Sequence, residues 1–386
     1  MSEFKTKTKI LIVFGTRPEA IKMAPIISAL SKSDKQFAVQ VCTTGQHRKM
    51  LDQVLEIFDI SPDYDFNVME PGQVLSDLTA LILTRMQRLL IELKPDLVLV
   101  HGDTTTAFAT ALACFYTNIP VGHVEAGLRT NNLNAPFPEE FNRQVVSRLA
   151  RWHFAPTELN KDNLVKENID SDKILITGNT VVDSLAFVID YLDSNKVIQD
   201  EIKNRLNLEL FSNWHLDTYV LITGHRRENF GEGFVAICGA LKELATRFQN
   251  VRFVYPVHLN PNVKGPVEDL LGKIENIHLI PPQDYLSFTL LLRHSYLVMT
   301  DSGGIQEEAP HLGKPVVVMR DVTERQEAVD AGSAVLVGAQ QRAIVDAVAK
   351  LLENNKHYES MSRANNPFGD GKASQKIVKF LENVSI

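Results

Sequence analysis

The 386-residue sequence has only three cysteines, Cys42, Cys114 and Cys238, and no two of them form a CxxC pair. This spacing disfavours a zinc site and a disulfide framework, and it is typical of a protein from a reducing cytosol. An excess of positive charge is also missing, because the formal net charge is −7. A nucleic-acid-binding protein needs a basic face, so we expect no nucleic-acid partner.

Long apolar runs are absent as well, and no stretch approaches the roughly 20 residues that a membrane-spanning helix needs. Residues 1–8 are polar and contain no apolar signal-peptide core. We therefore expect a cytoplasmic protein without a membrane partner. The sequence has no GxGxxG fingerprint, which disfavours tightly bound NAD, and no HExxH motif or clustered His/Asp set that indicates a required metal. We expect neither a metal nor a cofactor.

Short hydrophobic runs alternate with helical segments along the chain. In the first half they predict strands at 9–14, 38–43, 96–100, 119–124 and 152–155, with helices at 74–93, 104–117 and 139–150. In the second half they predict strands at 219–223, 251–255, 277–280, 296–300 and 315–319. Nearly continuous hydrophobic strands are covered on both faces, as in parallel sheets. The alternation of strands and helices predicts an α/β fold with doubly wound sheets.

Two domains are expected, because 386 residues exceed what one compact core usually serves. Residues 190–218 are charged and helical without a strand pattern, which indicates a boundary near 180–200. We predict Rossmann-like domains over 1–183 and 184–368, followed by a C-terminal helix within 369–386 that packs back on the first domain. Ligands of open α/β sheets bind beyond the carboxyl ends of the strands, so the two domains are expected to face a central cleft.

Acidic residues stand at strand ends and helix starts in the first half. Asp103 and Glu125 each follow a predicted strand, and Glu139 opens the helix after residues 136–138. Clustered carboxylates repel each other and raise the pKa of at least one member, which allows an acid and a base to coexist near neutral pH. Ordinary structural roles are the alternative: Asp103 as a helix N-cap, and Glu139 and Glu140 as first-turn residues.

Cationic residues also follow strands. Arg17 begins a helix, where a cation opposes the helix dipole unless an anion binds there, although an exposed arginine in an ordinary loop is the alternative. His225, Arg226 and Arg227 follow the strand at 219–223 and form a concentrated phosphate-recognition element. Two neighbouring arginines lower the pKa of a histidine when no anion is bound, so we favour phosphate contact over general-base chemistry for His225.

The stretch Ser302-Gly303-Gly304 leads from a strand into a helix and exposes backbone N–H groups, which predicts a diphosphate cradle. A tight turn without a ligand is the alternative. Glu307 or Glu308, one turn into the helix, is expected to reach ribose hydroxyls. Phe288 is a candidate to pack on a base, although a lone aromatic residue more often belongs to the core.

Together these motifs resemble the non-hydrolysing UDP-N-acetylglucosamine 2-epimerases, which share a two-domain, glycosyltransferase-B-like fold. The resemblance covers nearly the whole chain and rests on GTRPEAIKMAP at 15–25, GQH at 45–47, HGDTTTA at 101–107, HVEAGLRT at 123–130, PFPEEFNR at 136–143, TGNTVVD at 177–183, GHRREN at 224–229, DSGGIQEEAP at 301–310 and NPFGDGKAS at 366–374. It implies reversible conversion of UDP-GlcNAc to UDP-ManNAc, without nicotinamide, for bacterial surface polysaccharide synthesis. It also implies a homodimer.

The resemblance assigns roles to individual residues. The catalytic acids would be Asp103, Glu125 and Glu139, and the essential histidine would be His225. The expected substrate-binding residues are Arg17, Lys22, Arg143, Arg226, His258, Phe288, Ser302, Gly303, Gly304 and Glu308. Some members are activated by UDP-GlcNAc through the GQH stretch and an arginine a little downstream. Gln46 and His47 are thus candidate allosteric residues, but the segment 69–73 has no arginine, and activation stays open.

The chemistry also follows from the substrate that this resemblance implies. The C2–H of an N-acetylhexosamine does not adjoin a carbonyl, so its direct deprotonation is very difficult. Breaking the C1–O bond first makes C1 cationic and acidifies C2–H, which predicts anti elimination of UDP to 2-acetamidoglucal, followed by re-addition. Which carboxylate removes the proton and which returns it stays open. The rival functions are a glycosyltransferase of the same fold, a hydrolysing epimerase that releases UDP and N-acetylmannosamine, and a non-catalytic UDP-sugar sensor.

Overall fold

Each half of the chain folds around one parallel sheet. The computed structural model describes residues 7–33, 37–45, 48–70 and 72–386. The chain divides into a first unit, Met1–Ser184 with Phe368–Ile386, and a second unit, Leu185–Pro367. Central strands such as Leu97–His101 are buried at every residue, so both faces of the sheet are covered.

The first unit contains a seven-stranded sheet in the order β3-β2-β1-β4-β5-β6-β7, and every pair is parallel. Its strands are β1 (Thr8–Phe14), β2 (Phe37–Thr43), β3 (Tyr64–Asp65), β4 (Leu97–His101), β5 (Val121–Val124), β6 (Trp152–Ala155) and β7 (Ile174–Ile176). The helices are α1 (Arg17–Lys32), α2 (Arg48–Ile57), α3 (Leu75–Leu93), α4 (Thr105–Thr117), α5 (Glu139–Leu149) and α6 (Glu158–Lys166). Helix α7 (Thr180–Ser194) begins in this unit and continues into the second. The strand order reverses between β1 and β4, which opens a crevice at their carboxyl ends.

The second unit repeats this topology with six parallel strands in the order β10-β9-β8-β11-β12-β13. Its strands are β8 (Tyr219–Thr223), β9 (Arg252–Pro256), β10 (Ile277–Ile280), β11 (Leu297–Thr300), β12 (Val316–Val318) and β13 (Ala334–Leu336). The helices are α8 (Lys196–Glu209), α9 (Glu232–Arg247), α10 (Pro261–Leu271), α11 (Tyr285–His294), α12 (Ile305–His311), α13 (Gln326–Asp330), α14 (Gln341–Glu353) and α15 (Asn355–Ser362). Here the order reverses between β8 and β11.

The predicted α/β fold with two Rossmann-like sheets is confirmed. All ten predicted strands are present with boundaries shifted by at most two residues, because their continuous apolar runs form the centre of each core. Burying one such side chain contributes roughly 1.5–3 kcal/mol. The sequence did not predict β3, β7 and β13. All three are edge strands of two or three residues, too short to produce a recognisable pattern.

The C-terminal helix α16 (Ala373–Asn383) packs against α1 in the first unit. Its start is held by the buried Asp183, which accepts hydrogen bonds from the backbone N–H groups of Ala373 (3.1 Å) and Ser374 (2.8 Å) and from the Ser374 hydroxyl (2.6 Å). Asp183 thereby satisfies amides that the helix leaves unpaired at its N-terminus. Of the helices in the described segments, none combines the length and hydropathy needed to cross a membrane.

Two buried histidines face each other in the first sheet, His123 on β5 and His153 on β6. Burial, with a smaller contribution from His153, lowers the pKa of His123 to about 3. Burial, with a smaller contribution from Arg129, lowers the pKa of His153 to about 4. The His123 Nε2 atom lies 2.8 Å from the Gly102 carbonyl oxygen, which fixes the proton of the neutral ring on this nitrogen. Both rings are therefore neutral in the folded protein at neutral pH.

This pair predicts acid lability of the first unit. In the unfolded chain both rings take up a proton near the ordinary pKa of 6.5, but the folded chain excludes it until about pH 3–4. The free energy of unfolding should thus fall with pH below 6.5, by about 2 kcal/mol per ring at about pH 5. Urea unfolding at about pH 7.5 and 5 measures this loss. His123→Gln should show a smaller loss between the two pH values, and an equal loss in both proteins contradicts the assignment.

Candidate active site

The loop after β1 lies directly against the sheet. A Cβ atom on Gly15 would stand 2.2 Å from Thr44 Oγ1 and 2.3 Å from Thr106 Oγ1, so only glycine fits at this position. The two threonine hydroxyls are 2.8 Å apart and close the crevice floor beneath the loop. The start of α1 therefore lies at the point where the strand order reverses.

Glu19 organises two loops at this point. Its buried carboxylate accepts hydrogen bonds from the backbone N–H groups of Gly15 (3.1 Å) and Thr16 (2.8 Å) and from the Thr104 hydroxyl (2.7 Å). Burial raises the pKa of Glu19, and these hydrogen bonds counteract part of the rise. Thr16 and Glu19 form a capping box on α1, which we did not predict although its spacing is recognisable in the sequence. Glu19 thus joins the loop after β1 to the loop after β4.

Arg17 occupies the first position of α1 and is half-buried. Among the described residues it has no hydrogen-bond or ion-pair partner. A cation in this place is disfavoured by the helix dipole, so a bound anion would satisfy both the guanidinium group and the helix start. The anion-binding role of Arg17 stays a prediction.

Asp103 lies at the carboxyl end of β4, and its side chain is 24% exposed. The Arg143 guanidinium donates a hydrogen bond to its carboxylate, and the Asn142 side chain donates to its backbone carbonyl (2.9 Å). The alternative that Asp103 caps α4 is wrong. Thr104 is the N-cap, because its hydroxyl accepts a hydrogen bond from the backbone N–H of Ala107 (3.1 Å).

Glu125 follows β5 and is buried, with a backbone φ of 62°. A non-glycine residue rarely adopts this left-handed conformation, which is often found at functional sites. Its Oε2 atom accepts hydrogen bonds from Lys22 Nζ and from Asn179 Nδ2 (2.6 Å). Its Oε1 atom lies 3.5 Å from the position of a Cβ on Gly102. The carboxylate therefore lies beside the turn that carries Asp103.

The two glutamates at the start of α5 have different surroundings. Glu140 is fully buried and accepts hydrogen bonds from the backbone N–H groups of Thr130 and Asn131, both at 3.0 Å, so its role is structural. Glu139 Oε2 is buried, and the described part of the chain offers it no hydrogen-bond partner. Glu139 lies one turn before Arg143 on this helix, whereas the ion pair of Arg143 within the helix is with Glu140 (Nη1 to Oε2, 3.3 Å).

Cations pair with two of the three acids of the first unit. Lys22 is bound to Glu125 and Arg143 is bound to Asp103, with Glu139 one turn away. The mutual repulsion that we expected for a carboxylate cluster is therefore offset by two positive charges. Lys22 and Arg143, expected from the motifs to bind substrate, contact the acids directly.

In the second unit, Asp301 fixes the loop after β8. It is fully buried, and its Oδ2 atom accepts hydrogen bonds from the backbone N–H groups of His225 and Arg226, both at 2.8 Å. Asn229 Nδ2 lies 3.4 Å from the same oxygen, and His225 Nδ1 lies 3.5 Å from Oδ1. We did not predict this role of Asp301 from the sequence, although an acid directly after a strand is a recognisable signal.

The side chains of this loop form a cationic and aromatic surface. The rings of His225 and His258 stack with centroids 5.5 Å apart and an interplanar angle of 18°. His258 Nδ1 accepts a hydrogen bond from the backbone N–H of Asn260 (3.1 Å), which leaves the proton of the neutral ring on Nε2. Arg226 Nε is buried and finds no acceptor in the described ranges. These groups can donate to an anion.

The turn after β11 presents backbone amides. The N–H of Ser302 donates to Thr300 Oγ1 (2.9 Å) and is already used within the protein. Among the described residues, none accepts a hydrogen bond from the amides of Gly303, Gly304 or Ile305. Three consecutive amides are thus available to a ligand, as expected of an anion cradle.

The two glutamates that follow this turn, Glu307 and Glu308, have different hydrogen-bond partners. Glu307 is fully buried and accepts a hydrogen bond from Arg325 Nε (2.8 Å), so it serves a structural ion pair. Glu308 accepts from the Tyr285 hydroxyl (3.3 Å). A Cβ on Gly303 would lie 2.9 Å from Arg325 Nη1, so this buried cation lies directly against the turn. Arg325 was not predicted from the sequence, because nothing near it in the chain indicates an anion site.

The remaining candidates lie close to these elements or outside the described ranges. Phe288 is half-buried on α11, one turn after Tyr285, the residue that contacts Glu308. Gln46 and His47 fall outside the described residues. In the described part of the chain, no group of three His, Cys, Asp or Glu residues could hold a metal ion.

A family model and individual relatives of the chain carry the same description. A family model described as UDP-N-acetylglucosamine 2-epimerase matches residues 29–382. The UDP-N-acetylglucosamine 2-epimerase of Escherichia coli K12 is 54% identical over 379 residues, which cover 97% of this chain and 98% of the relative. The enzyme of the same description from Campylobacter jejuni is 53% identical over 374 residues, covering 97% of each chain.

Solved structures agree with the sequence comparison. The crystal structure of UDP-GlcNAc 2-epimerase from Neisseria meningitidis bound to UDP-GlcNAc has a TM-score of 0.92 and 50% identity, covering 98% of this chain and 100% of that one. The Methanocaldococcus jannaschii enzyme in complex with UDP-GlcNAc and UDP has a TM-score of 0.82 and 33% identity, covering 97% and 99%.

Proposed function

The chain belongs to the UDP-N-acetylglucosamine 2-epimerase family, and we propose that it interconverts UDP-GlcNAc and UDP-ManNAc by elimination and re-addition of UDP. As a member of this family it is an isomerase. The observation that supports the mechanism is that Asp103 and Glu125 follow neighbouring strands of the first unit and are each paired with a cation, with Glu139 at the start of the helix after the second of these strands. Epimerisation needs one group to remove the C2 proton and another to return a proton from the opposite face, and this group supplies more than one candidate.

Departure of UDP places negative charge on the diphosphate. Groups of the second unit are suited to stabilise this charge. The amides of Gly303, Gly304 and Ile305 and the guanidinium of Arg226 are available donors, and His225 extends the same surface. Loss of one such donor typically costs about 2.7–4 kcal/mol of transition-state stabilisation. We assign to these groups the binding of the leaving group.

Further contacts complete the proposed substrate site. In the second unit we assign diphosphate contact to Ser302 and His258, ribose contact to Glu308, and base contact to the half-buried ring of Phe288. In the first unit we assign anion contact to Arg17. The choice of Glu308 rather than Glu307 is supported by the ion pair that already occupies Glu307. Lys22 and Arg143 would orient the acids toward the sugar.

Incubation with UDP-GlcNAc alone in deuterated water tests the reaction. We expect UDP-ManNAc as the product, with deuterium at C2, because the proton that leaves C2 exchanges with solvent before one returns. NMR of the product measures both the configuration and the isotope. Product with only protium at C2 contradicts elimination through a glycal.

The same incubation separates the rival functions. A glycosyltransferase would leave UDP-GlcNAc unchanged without an acceptor. A hydrolysing epimerase would accumulate free N-acetylmannosamine and UDP. A sensor would bind the nucleotide sugar without converting it.

Asp103→Asn and Glu139→Gln are expected to lower turnover by about 10²–10⁴-fold, because each removes a proton-transfer group or its close neighbour. UDP binding, measured by calorimetry, should stay close to that of the wild type, since the nucleotide contacts that we propose lie mainly in the second unit. Glu158→Gln, a first-turn glutamate of α6 outside the site, is the matched control and should retain activity. Full turnover in either site variant would remove that residue from the mechanism.

We also propose that two copies of the chain form a homodimer through the face of α3 and α4. Ile91, Phe115 and Tyr116 on these helices are 60%, 64% and 59% exposed, and Ile91 and Tyr116 line one shallow pocket. Single exposed apolar residues are common, but a group of this kind favours a protein partner.

Sedimentation should therefore give about twice the 43.3 kDa mass of one chain. Tyr116→Arg should shift the protein towards the monomer, because it puts a charge into the proposed interface. Leu208→Arg, at a residue 90% exposed on α8, is the matched control and should leave the mass unchanged. A wild-type monomer, or a Tyr116→Arg variant that remains fully dimeric, would exclude this face.

A cytoplasmic location is proposed as well. Cys42, Cys114 and Cys238 are all free thiols and all buried, as is usual for proteins of reducing compartments.

A further inference from the structure

We propose that Asn179 is a positioning residue for Glu125 and that it couples this carboxylate to the C-terminal segment that returns to the first unit. The inference rests on the proposed function, in which Glu125 belongs to the proton-transfer group. It concerns a residue between β7 and α7 that no charge or spacing in the sequence marks as catalytic.

The contact between the two residues is direct. Asn179 is 2% exposed, and its Nδ2 atom donates a 2.6 Å hydrogen bond to Glu125 Oε2, the oxygen that also binds Lys22. The left-handed backbone of Glu125 places it at a turn, where side-chain partners decide its orientation. Oε2 is held by these two donors, with the ring of His101 also facing it (Nε2 at 3.8 Å), and Oε1 is directed to Gly102 and the Asp103 turn. An amide donor achieves this orientation without adding a charge.

The orientation of the Asn179 amide is itself fixed. Its Oδ1 atom accepts a hydrogen bond from the backbone N–H of Val181 (3.1 Å), which caps α7, so the Nδ2 group must face Glu125. Its backbone N–H donates to the carbonyl of Phe368 (2.7 Å). A Cβ on the preceding Gly178 would stand 3.0 Å from this carbonyl oxygen, so the two backbones are in close contact.

The segment that contains Phe368 is anchored a few residues further on. Phe368 is fully buried, and Asp183 on α7 binds the backbone and hydroxyl of Ser374. Asn179 and Asp183 lie one turn apart, so the start of α7 holds this segment at two points. Displacement of the segment would pull on the backbone of Asn179 and thereby on the hydrogen bond to Glu125.

Two substitutions separate positioning from structural support. Asn179→Ser keeps a good N-cap for α7 but is too short to reach Glu125. Asn179→Asp keeps both the cap and the shape but places a second carboxylate against Glu125. Two carboxylates in contact cannot both ionise easily, so the acid limb of the pH–rate profile must move to higher pH. A residue with only a structural role would not move this limb.

The experiment measures kcat and KM for UDP-GlcNAc between about pH 5.5 and 9, with thermal unfolding of each variant. We expect Asn179→Ser to lower kcat by about 10- to 100-fold with KM within about twofold, because it removes orientation rather than binding. Asn179→Asp should shift the acid limb upward by about one pH unit or more. Glu125→Gln should lack the acid limb that belongs to Glu125.

The coupling to the C-terminal segment is tested in the same assay. Ser374→Ala should lower kcat several-fold, and combining it with Asn179→Ser should cause little further loss, because both act through one contact. Ser33→Ala is the matched control. It removes the 2.7 Å hydrogen bond from Ser33 to Glu382 on α16 without touching Asn179, and its kcat should equal that of the wild type.

Each outcome decides a separate point. Wild-type kcat and an unshifted acid limb in both Asn179 variants overturn the positioning role while the proposed function stands. A lower melting temperature with no shift of the limb in Asn179→Asp also overturns it, because that pattern is purely structural. Additive losses in the double variant overturn the coupling alone. A wild-type protein that does not interconvert the two sugars overturns the proposed function and this inference with it.

Discussion

A buried carboxylate that binds two successive backbone amides fixes the first loop of each unit, and the candidate site depends on these two interactions. Glu19 binds the N–H groups of Gly15 and Thr16 after β1, and Asp301 binds those of His225 and Arg226 after β8. Both lie where the strand order reverses, the crevice that an open parallel sheet leaves at its carboxyl edge. Burial of a charge is costly unless hydrogen bonds compensate it, so each loop can take only the conformation that supplies the donors.

The sequence was sufficient to predict the architecture and the strand ends that carry the site. Parallel strands buried on both faces produce continuous apolar runs, and residues that follow such runs must lie at one edge of a sheet. Asp103, Glu125 and the turn at Gly303 could therefore be predicted without any coordinates. Short edge strands such as Tyr64–Asp65 could not be predicted in this way, because they pair on one side only and need no apolar pattern.

The sequence could not predict the partners of the site residues, because these partners are distant in the chain. Lys22 and Glu125 are 103 residues apart, and Arg143 is 40 residues from Asp103. Without them the three acids suggest mutual repulsion, whereas in the structure Glu125 and Asp103 are each paired with a cation. Asn179 was missed for a related reason: a neutral amide has no charge or spacing that distinguishes it from an ordinary helix cap.

The two units differ in the charges they leave available, and this difference matches the demands of elimination. In the first unit Lys22 and Arg143 bind the carboxylates, so the acids are oriented and their charge is partly compensated. In the second unit the donors of Arg226 and of the turn at Gly303 are not used by the described residues. Cleavage of the C1–O bond makes the diphosphate more anionic and the sugar more cationic. Unused donors such as those of the second unit would favour the first change, and carboxylates such as those of the first unit would favour the second, as the proposed elimination requires. Because re-addition passes through the same charge distribution, groups that stabilise UDP departure would also stabilise its return, as the proposed reversible reaction requires.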